Sequence, residues 1–231
     1  MIGFPTSRIL LVAGAGLLIA LGFTSCGTGP SGQDARNKMI VSVRDQKLML
    51  VRDGNPVKTY KISTSKFGVG DRPNSNCTPL GRMQVAKKIG DNAPIGSVFK
   101  HRHPTGEVIK PDAPGRDPIV TRIIWLTGTE SRNRNAFRRT IYIHGTAEER
   151  RLGLPASYGC IRMGSRDVAD LYQRIGCGAD VFVIRESIQT NTSNPAAAAV
   201  AKTSNPAPAS VSKTSNQASA SVSKTSGRQR G

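Results

Sequence analysis

The residues best suited to chemistry lie between Ile141 and Met163, in IYIHGTAEERRLGLPASYGCIRM. His144 ends a short β-like run, Ile141-Tyr142-Ile143-His144, and Gly145 follows it. Further on, Ser157-Tyr158-Gly159 leads into Cys160, Ile161 and Arg162. A cysteine with a histidine base is a nucleophilic pair. The thiolate is the reactive form, and a free cysteine with a pKa of ~8.5 is mostly protonated at neutral pH. An imidazole within hydrogen-bond reach takes that proton. Gly159 lets the backbone approach the thiol and leaves amide N–H groups to face a developing oxyanion. Arg162 offers a positive charge that can hold a substrate carboxylate or lower the thiol pKa.

Beyond this stretch the chain supplies strands to carry these groups. Met39–Val43, Lys47–Arg52 and Val57–Thr64 alternate apolar and polar residues as strands do. Asp53-Gly54 between the last two is a hairpin signal. Arg82–Lys88, Ile119–Leu126 and Ala179–Arg185 are further strands, so an antiparallel sheet system is expected and not βαβ repeats. Ile89–Pro118 reads as a Gly/Pro-rich loop. Its His101 and His103 have metal-ligand spacing but lack acidic or cysteine partners, so no metal is assigned. Trp125, the sole tryptophan, is read as core. Thr127–Arg139 reads as a basic loop, and Ala147–Gly153 as one short helical turn. Ser165 is placed as the N-cap of a helix over Arg166–Ile175, with Val168, Leu171, Tyr172 and Ile175 on its buried face.

The motif with its flanks resembles the L,D-transpeptidase family, the YkuD-type catalytic domain: an HG pair, a spacer of this length, then S-x-G-C-[IV]-R. Upstream, KLMLVRDG at Lys47–Gly54, VKTYKISTS at Val57–Ser65 and the Thr78-Pro79-Leu80-Gly81 turn are similar to the family's opening strands and TPxG turn. Tyr158 stands where the family often has histidine, which points to altered substrate contacts. The resemblance implies a mainly β fold, sandwich-like sheets with one clear helix after the catalytic cysteine. It implies Cys160 as nucleophile and His144 as base. Ser157, Gly159 and Gly145 would serve the oxyanion and orientation, with the Ser157 carbonyl steering the imidazole. Arg162 and Tyr158 would contact substrate, and no cofactor is needed. The implied reaction is attack on a peptidoglycan tetrapeptide stem with release of its terminal D-residue. An acceptor amine, on another stem or an envelope protein, then resolves the thioester. Carbapenems would acylate the same cysteine. A carboxypeptidase using water, and a non-catalytic wall-binding lipoprotein, are the alternatives.

Composition fits an exported protein. Arg8 precedes an apolar run, Ile9–Leu21, of signal-sequence length, ending at Phe23-Thr24-Ser25-Cys26. This is similar to a lipobox, so Cys26 is expected to be lipidated and to tether the chain to a membrane in the periplasm or cell envelope. The formal charge of +18, from 33 Lys and Arg against 15 Asp and Glu, comes without a nucleic-acid recognition motif. Anionic wall polymers or lipid headgroups are the expected partners. Cys77 and Cys177 are left over and either pair or stay separate. The expected organisation is a signal peptide over 1–25, a tether over 26–38, a catalytic domain over 39–186 and a tail over 187–231. In the tail, KTS recurs every eleven residues among Ser, Ala, Pro and Asn, a composition that predicts disorder.

Overall fold

The computed structural model describes residues 33–188. The expected signal peptide, Cys26 and the repeats of the C-terminal tail lie outside the described residues.

Ten strands and one α-helix make up the described chain. The strands are β1 (Asn37–Ser42), β2 (Lys47–Arg52), β3 (Asn55–Ser63), β4 (Gly81–Ile89), β5 (Ser97–Lys100), β6 (His103–Val108), β7 (Ile119–Gly128), β8 (Tyr142–Thr146), β9 (Ile161–Met163) and β10 (Asp180–Ile184). The helix is α1 (Ser165–Arg174). The fold is mainly β with a single helix after Cys160, as expected. The sheet runs β4-β10-β1-β2-β3-β9-β8-β7-β5-β6, and β4 also pairs with β7. That extra pairing closes eight of the strands into one ring, the form the expected sandwich-like arrangement takes. Closure gives every ring strand a neighbour on both sides, although β3 meets β9 only at Ile62 and Ser63.

Alternate residues point to opposite sides of a strand. Met39 and Val41, Leu48 and Leu50, Tyr60 and Ile62, Met83 and Val85, Ile124 and Leu126, and Val181 and Val183 therefore enter one core, with Ile143, Ile161 and Met163. Val168, Leu171 and Tyr172 of α1 join it, with Ile175 just past the helix end. Because Ile143, Ile161 and Met163 face the core, His144, Cys160 and Arg162 face away from it. The pleat of β8 and β9 thus decides where the candidate site lies.

Three local expectations change. Two ring pairings are parallel, β1 with β10 and β8 with β9. The Ile89–Pro118 segment contains the hairpin β5–β6, held to β7 through Val98 and Phe99. Its turn uses His101 and Arg102 at φ 51° and 70°, left-handed conformations that Asn or Gly would normally signal. Ser165 is the first residue of α1, and the N-cap is Gly164. The Ser165 N–H donates to Glu149 Oε1 at 2.7 Å, so a carboxylate from a distant turn satisfies the helix start. That turn is a 3-10 segment, Glu149–Arg151, within the stretch expected to form one short helical turn.

The ends of the domain are tied down further than the composition suggested. Asp34, inside the expected tether, accepts from the Gly176 N–H at 2.6 Å and from the Asn37 side chain. At the other end the Ser187 hydroxyl and the Ile188 N–H both donate to Asp45. Trp125 is half-buried and packs against the small cluster of Phe99, Ile123 and Tyr142: it stacks on Phe137 with ring centroids 4.2 Å apart, and the Arg102 guanidinium lies over it.

Candidate active site

β8 and β9 run parallel with Ile143 level with Ile161 and His144 level with Arg162. Continuing that register one step back sets Cys160 beside Tyr142. The Tyr142 N–H donates to Cys160 Sγ at 3.4 Å, and the thiol donates to the Thr140 carbonyl at 3.4 Å. His144 lies two residues beyond Tyr142, on the same face and diagonal to Cys160. Cys160 lines an open cleft of about 240 Å³ with Asn74, Asn76, Arg139, Thr140, Ile141 and Tyr158.

Burial governs both titrating groups. His144 is only 6% exposed, and removal from water, with Arg162 nearby, holds its pKa down to about 4. Its Nδ1 lies 2.8 Å from the Gly145 carbonyl. A carbonyl only accepts, so Nδ1 carries the proton and Nε2 keeps the free lone pair of a base. Burial likewise pushes the Cys160 thiol up to about 11, against the opposing pull of the Tyr142 N–H and of Arg162 and Arg139. At neutral pH the site holds a neutral thiol and a neutral imidazole.

The oriented imidazole depends on Gly145, and its neighbourhood requires a glycine there. A Cβ at Gly145 would sit 2.5 Å from the Val120 carbonyl of β7. Gly159 has φ +118°, a conformation that strains other residues, and its Cβ would meet the Cys77 carbonyl at 3.3 Å.

Ser157 contributes differently from the expectation. Its carbonyl accepts from the Lys66 N–H at 3.1 Å, and the carbonyl that orients His144 is that of Gly145. Its hydroxyl instead donates to the Cys160 carbonyl at 2.5 Å and accepts from the Gly159 N–H at 3.2 Å. One side chain therefore pins the peptide groups on both sides of the 159–160 link, and the Gly159 N–H is engaged within the loop. Thr78, of the TPxG turn, links the Ser65 N–H to the Gly159 carbonyl through one buried hydroxyl.

Arg162 is ion-paired within the protein. It meets Asp117 at 2.9 Å and Glu148 at 3.3 Å, with its side chain 11% exposed. Asp117 also accepts from the Thr146 hydroxyl and the Ala147 N–H. The expected open carboxylate site on Arg162 is thus already occupied by carboxylates of the chain. Arg139, which lines the cleft, is similarly held by Asp71 at 3.0 Å and donates to the carbonyls of Gly70 and Cys77. Asp71 and Asp117 carry no signal in the sequence, Glu148 is one of an adjacent acidic pair that the motif gives no role, and Arg139 is one of several loop arginines; only the fold brings these charges together. Tyr158 is 58% exposed at the cleft rim. Cys77 and Cys160 carry free thiols, so the Cys77–Cys177 pairing does not form.

A β-ring carrying a cysteine-lined cleft beside an oriented histidine defines a class of domain, and the sequence comparisons specify the family. The model of the YkuD family, the L,D-transpeptidase catalytic domain, matches residues 36–184. The chain belongs to that family. It is 28% identical over 148 residues to the putative L,D-transpeptidase YqjB of Bacillus subtilis (strain 168), across 63% of this chain and 69% of that protein. Among solved structures it is similar to an L,D-transpeptidase from Mycobacterium smegmatis, with 13% identity and a TM-score of 0.43, over 64% of this chain and 58% of that one. A second is L,D-transpeptidase 3 from Mycobacterium tuberculosis bearing a faropenem-derived adduct, with 20% identity and a TM-score of 0.43, over 65% of this chain and 60% of that one. The chain thus spans less than two thirds of the solved chains it matches.

Proposed function

We propose that the domain is a peptidoglycan L,D-transpeptidase that uses Cys160 as nucleophile and His144 as base. The observation that supports this reading most is the parallel register of β8 and β9. It sets a buried, Nδ1-protonated imidazole and a cleft-lining thiol on one face of adjacent strands. With both groups neutral at rest, proton transfer accompanies attack: the thiol proton passes to His144 Nε2 as sulfur bonds to the stem-peptide carbonyl carbon. The C–N bond to the terminal D-residue then breaks, and the leaving amine takes the proton from the imidazole. An acceptor amine attacks the thioester, loses its proton to His144, and the thiol is restored. Gly145 orients the base, and Ser157 and Gly159 fix the loop that carries the nucleophile.

Incubating the protein with a tetrapeptide donor, or a carbapenem, and measuring intact mass tests this chemistry. A covalent adduct lost in Cys160→Ala supports it. An adduct that survives the substitution moves the nucleophile elsewhere. Product analysis with and without an acceptor amine separates transfer from hydrolysis. The exported setting read from residues 1–32 belongs to the same proposal, with the acceptor a stem peptide or an envelope protein. Cys26→Ala is expected to release the protein from the membrane fraction. A wild-type N-terminus without lipid mass would refute the anchor.

A further inference from the structure

We infer that Lys66 anchors a carboxylate of the peptide that occupies the Cys160 cleft, an inference that rests on the acyl-transfer reading above. Both arginines around Cys160 are already neutralised, Arg139 by Asp71 and Arg162 by Asp117 and Glu148. Lys66 is not: among the described residues no carboxylate lies within ion-pair reach of it.

Its place is nonetheless fixed. Ser65 bridges to Ser157, and the Lys66 N–H donates to the Ser157 carbonyl at 3.1 Å, so the backbone is laced to the nucleophile's loop. The Lys66 ammonium lies 2.9 Å from the Tyr158 hydroxyl. It sits 4.3 Å from the centre of the Tyr158 ring and 5.2 Å from that of Phe67. The two rings are tilted against each other at 5.4 Å and are 58% and 49% exposed. Tyr158 in turn lines the cleft beside Cys160. An ammonium has three N–H donors, and the tyrosine accounts for one. Aromatic faces hold the cation without neutralising it. The arrangement presents a positioned, uncompensated positive charge at the rim of a peptide cleft, and an acidic peptide is its complement.

The test uses the full chain and two synthetic tetrapeptide donors that differ in one group, a side carboxylate or its carboxamide. The wild type is expected to favour the carboxylate donor in kcat/KM by roughly twofold to fivefold, the span of an exposed ion pair. The preference should shrink as ionic strength rises. Lys66→Gln is expected to make the two donors equal, and Lys66→Glu to invert the order, with unchanged thermal midpoints confirming folded protein. If the wild type releases the D-residue from neither donor, the transpeptidase reading has failed, and this inference with it. If the wild type turns over both donors equally, or Lys66→Gln keeps the preference, the role of Lys66 is overturned while the reaction stands.

Discussion

A buried neutral imidazole makes stability depend on pH in a window that one substitution isolates. His144 titrates near 4 in the folded chain instead of its ordinary 6.5. The folded state therefore binds this proton less tightly than the unfolded state does. Between those two values the unfolded chain carries the extra proton, so stability is fully present above 6.5 and is lost as pH falls toward 4. At about 1.4 kcal/mol per pH unit, the displacement is worth about 3 kcal/mol. The assay is urea unfolding of wild type and His144→Gln at intervals from pH ~7.5 to ~4.5. The substitution is expected to change the absolute stability, but the informative quantity is the difference between the two curves. Wild type should lose about 2–3 kcal/mol relative to the variant by pH ~4.5. Asp170, held down to about 2 by its hydrogen bonds to Lys58, Tyr60 and Arg174 against the cost of burial, loses its contribution only below the ordinary carboxylate range. Curves that stay parallel throughout would show that the imidazole is solvated or charged, and the neutral-base mechanism would fall with it.

The Cys160 thiol gives the opposite limb: its folded pKa of about 11 lies above the unfolded value of 9.0, so wild type should lose stability relative to Cys160→Ala as pH rises from 9 to 11. Gly145→Ala drives a Cβ into the Val120 carbonyl, and about 1–3 kcal/mol of overpacking should appear as a lower Tm with slower Cys160 acylation. Asp71→Ala strands the buried Arg139 charge and should cost about 3–5 kcal/mol in chemical denaturation; a loss under about 1 kcal/mol would show that the pair is solvated. Removing 189–231 should leave Tm nearly unchanged, because its composition offers little apolar area. A cut before Glu186 should lower Tm, since it removes the bonds to Ser42 and Asp45.

Much of the ring was legible because its signals are local. Alternation in KLMLVR and the Asp53-Gly54 turn set β2 and β3 without reference to the rest of the chain. The β5–β6 hairpin escaped notice because His101 and Arg102 occupy turn positions where sequence rules look for Gly or Asn, and every β6 side chain is exposed. Ring closure through β4 and β7 carries no local signature at all. For the site, the motif identified the cysteine, the histidine and the glycines beside them. It could not say which carbonyl meets the imidazole, since the ring orientation that sets Nδ1 against the adjacent Gly145 carbonyl is fixed only by the packing around His144. The arginine two places after the cysteine looked available for the same reason: its partners, Asp117 and Glu148, lie 45 and 14 positions away in the chain.

The β1–β10 pairing has a mechanical consequence. The strands are parallel, with Lys38 level with Asp180 and Ser42 level with Ile184. The chain thus enters this pair at one end and leaves it at the other. Tension applied between residues 33 and 188 would pull the two strands past each other along their length. In that direction the hydrogen bonds of the ladder share the load and must break together; a pull that peeled the strands apart would break them one at a time. β2 and β4 flank the pair on either side and would resist its sliding. A domain held by both of its ends would carry force through its strongest direction, and stretching it from those two points should require more force than stretching it across the β5–β6 hairpin.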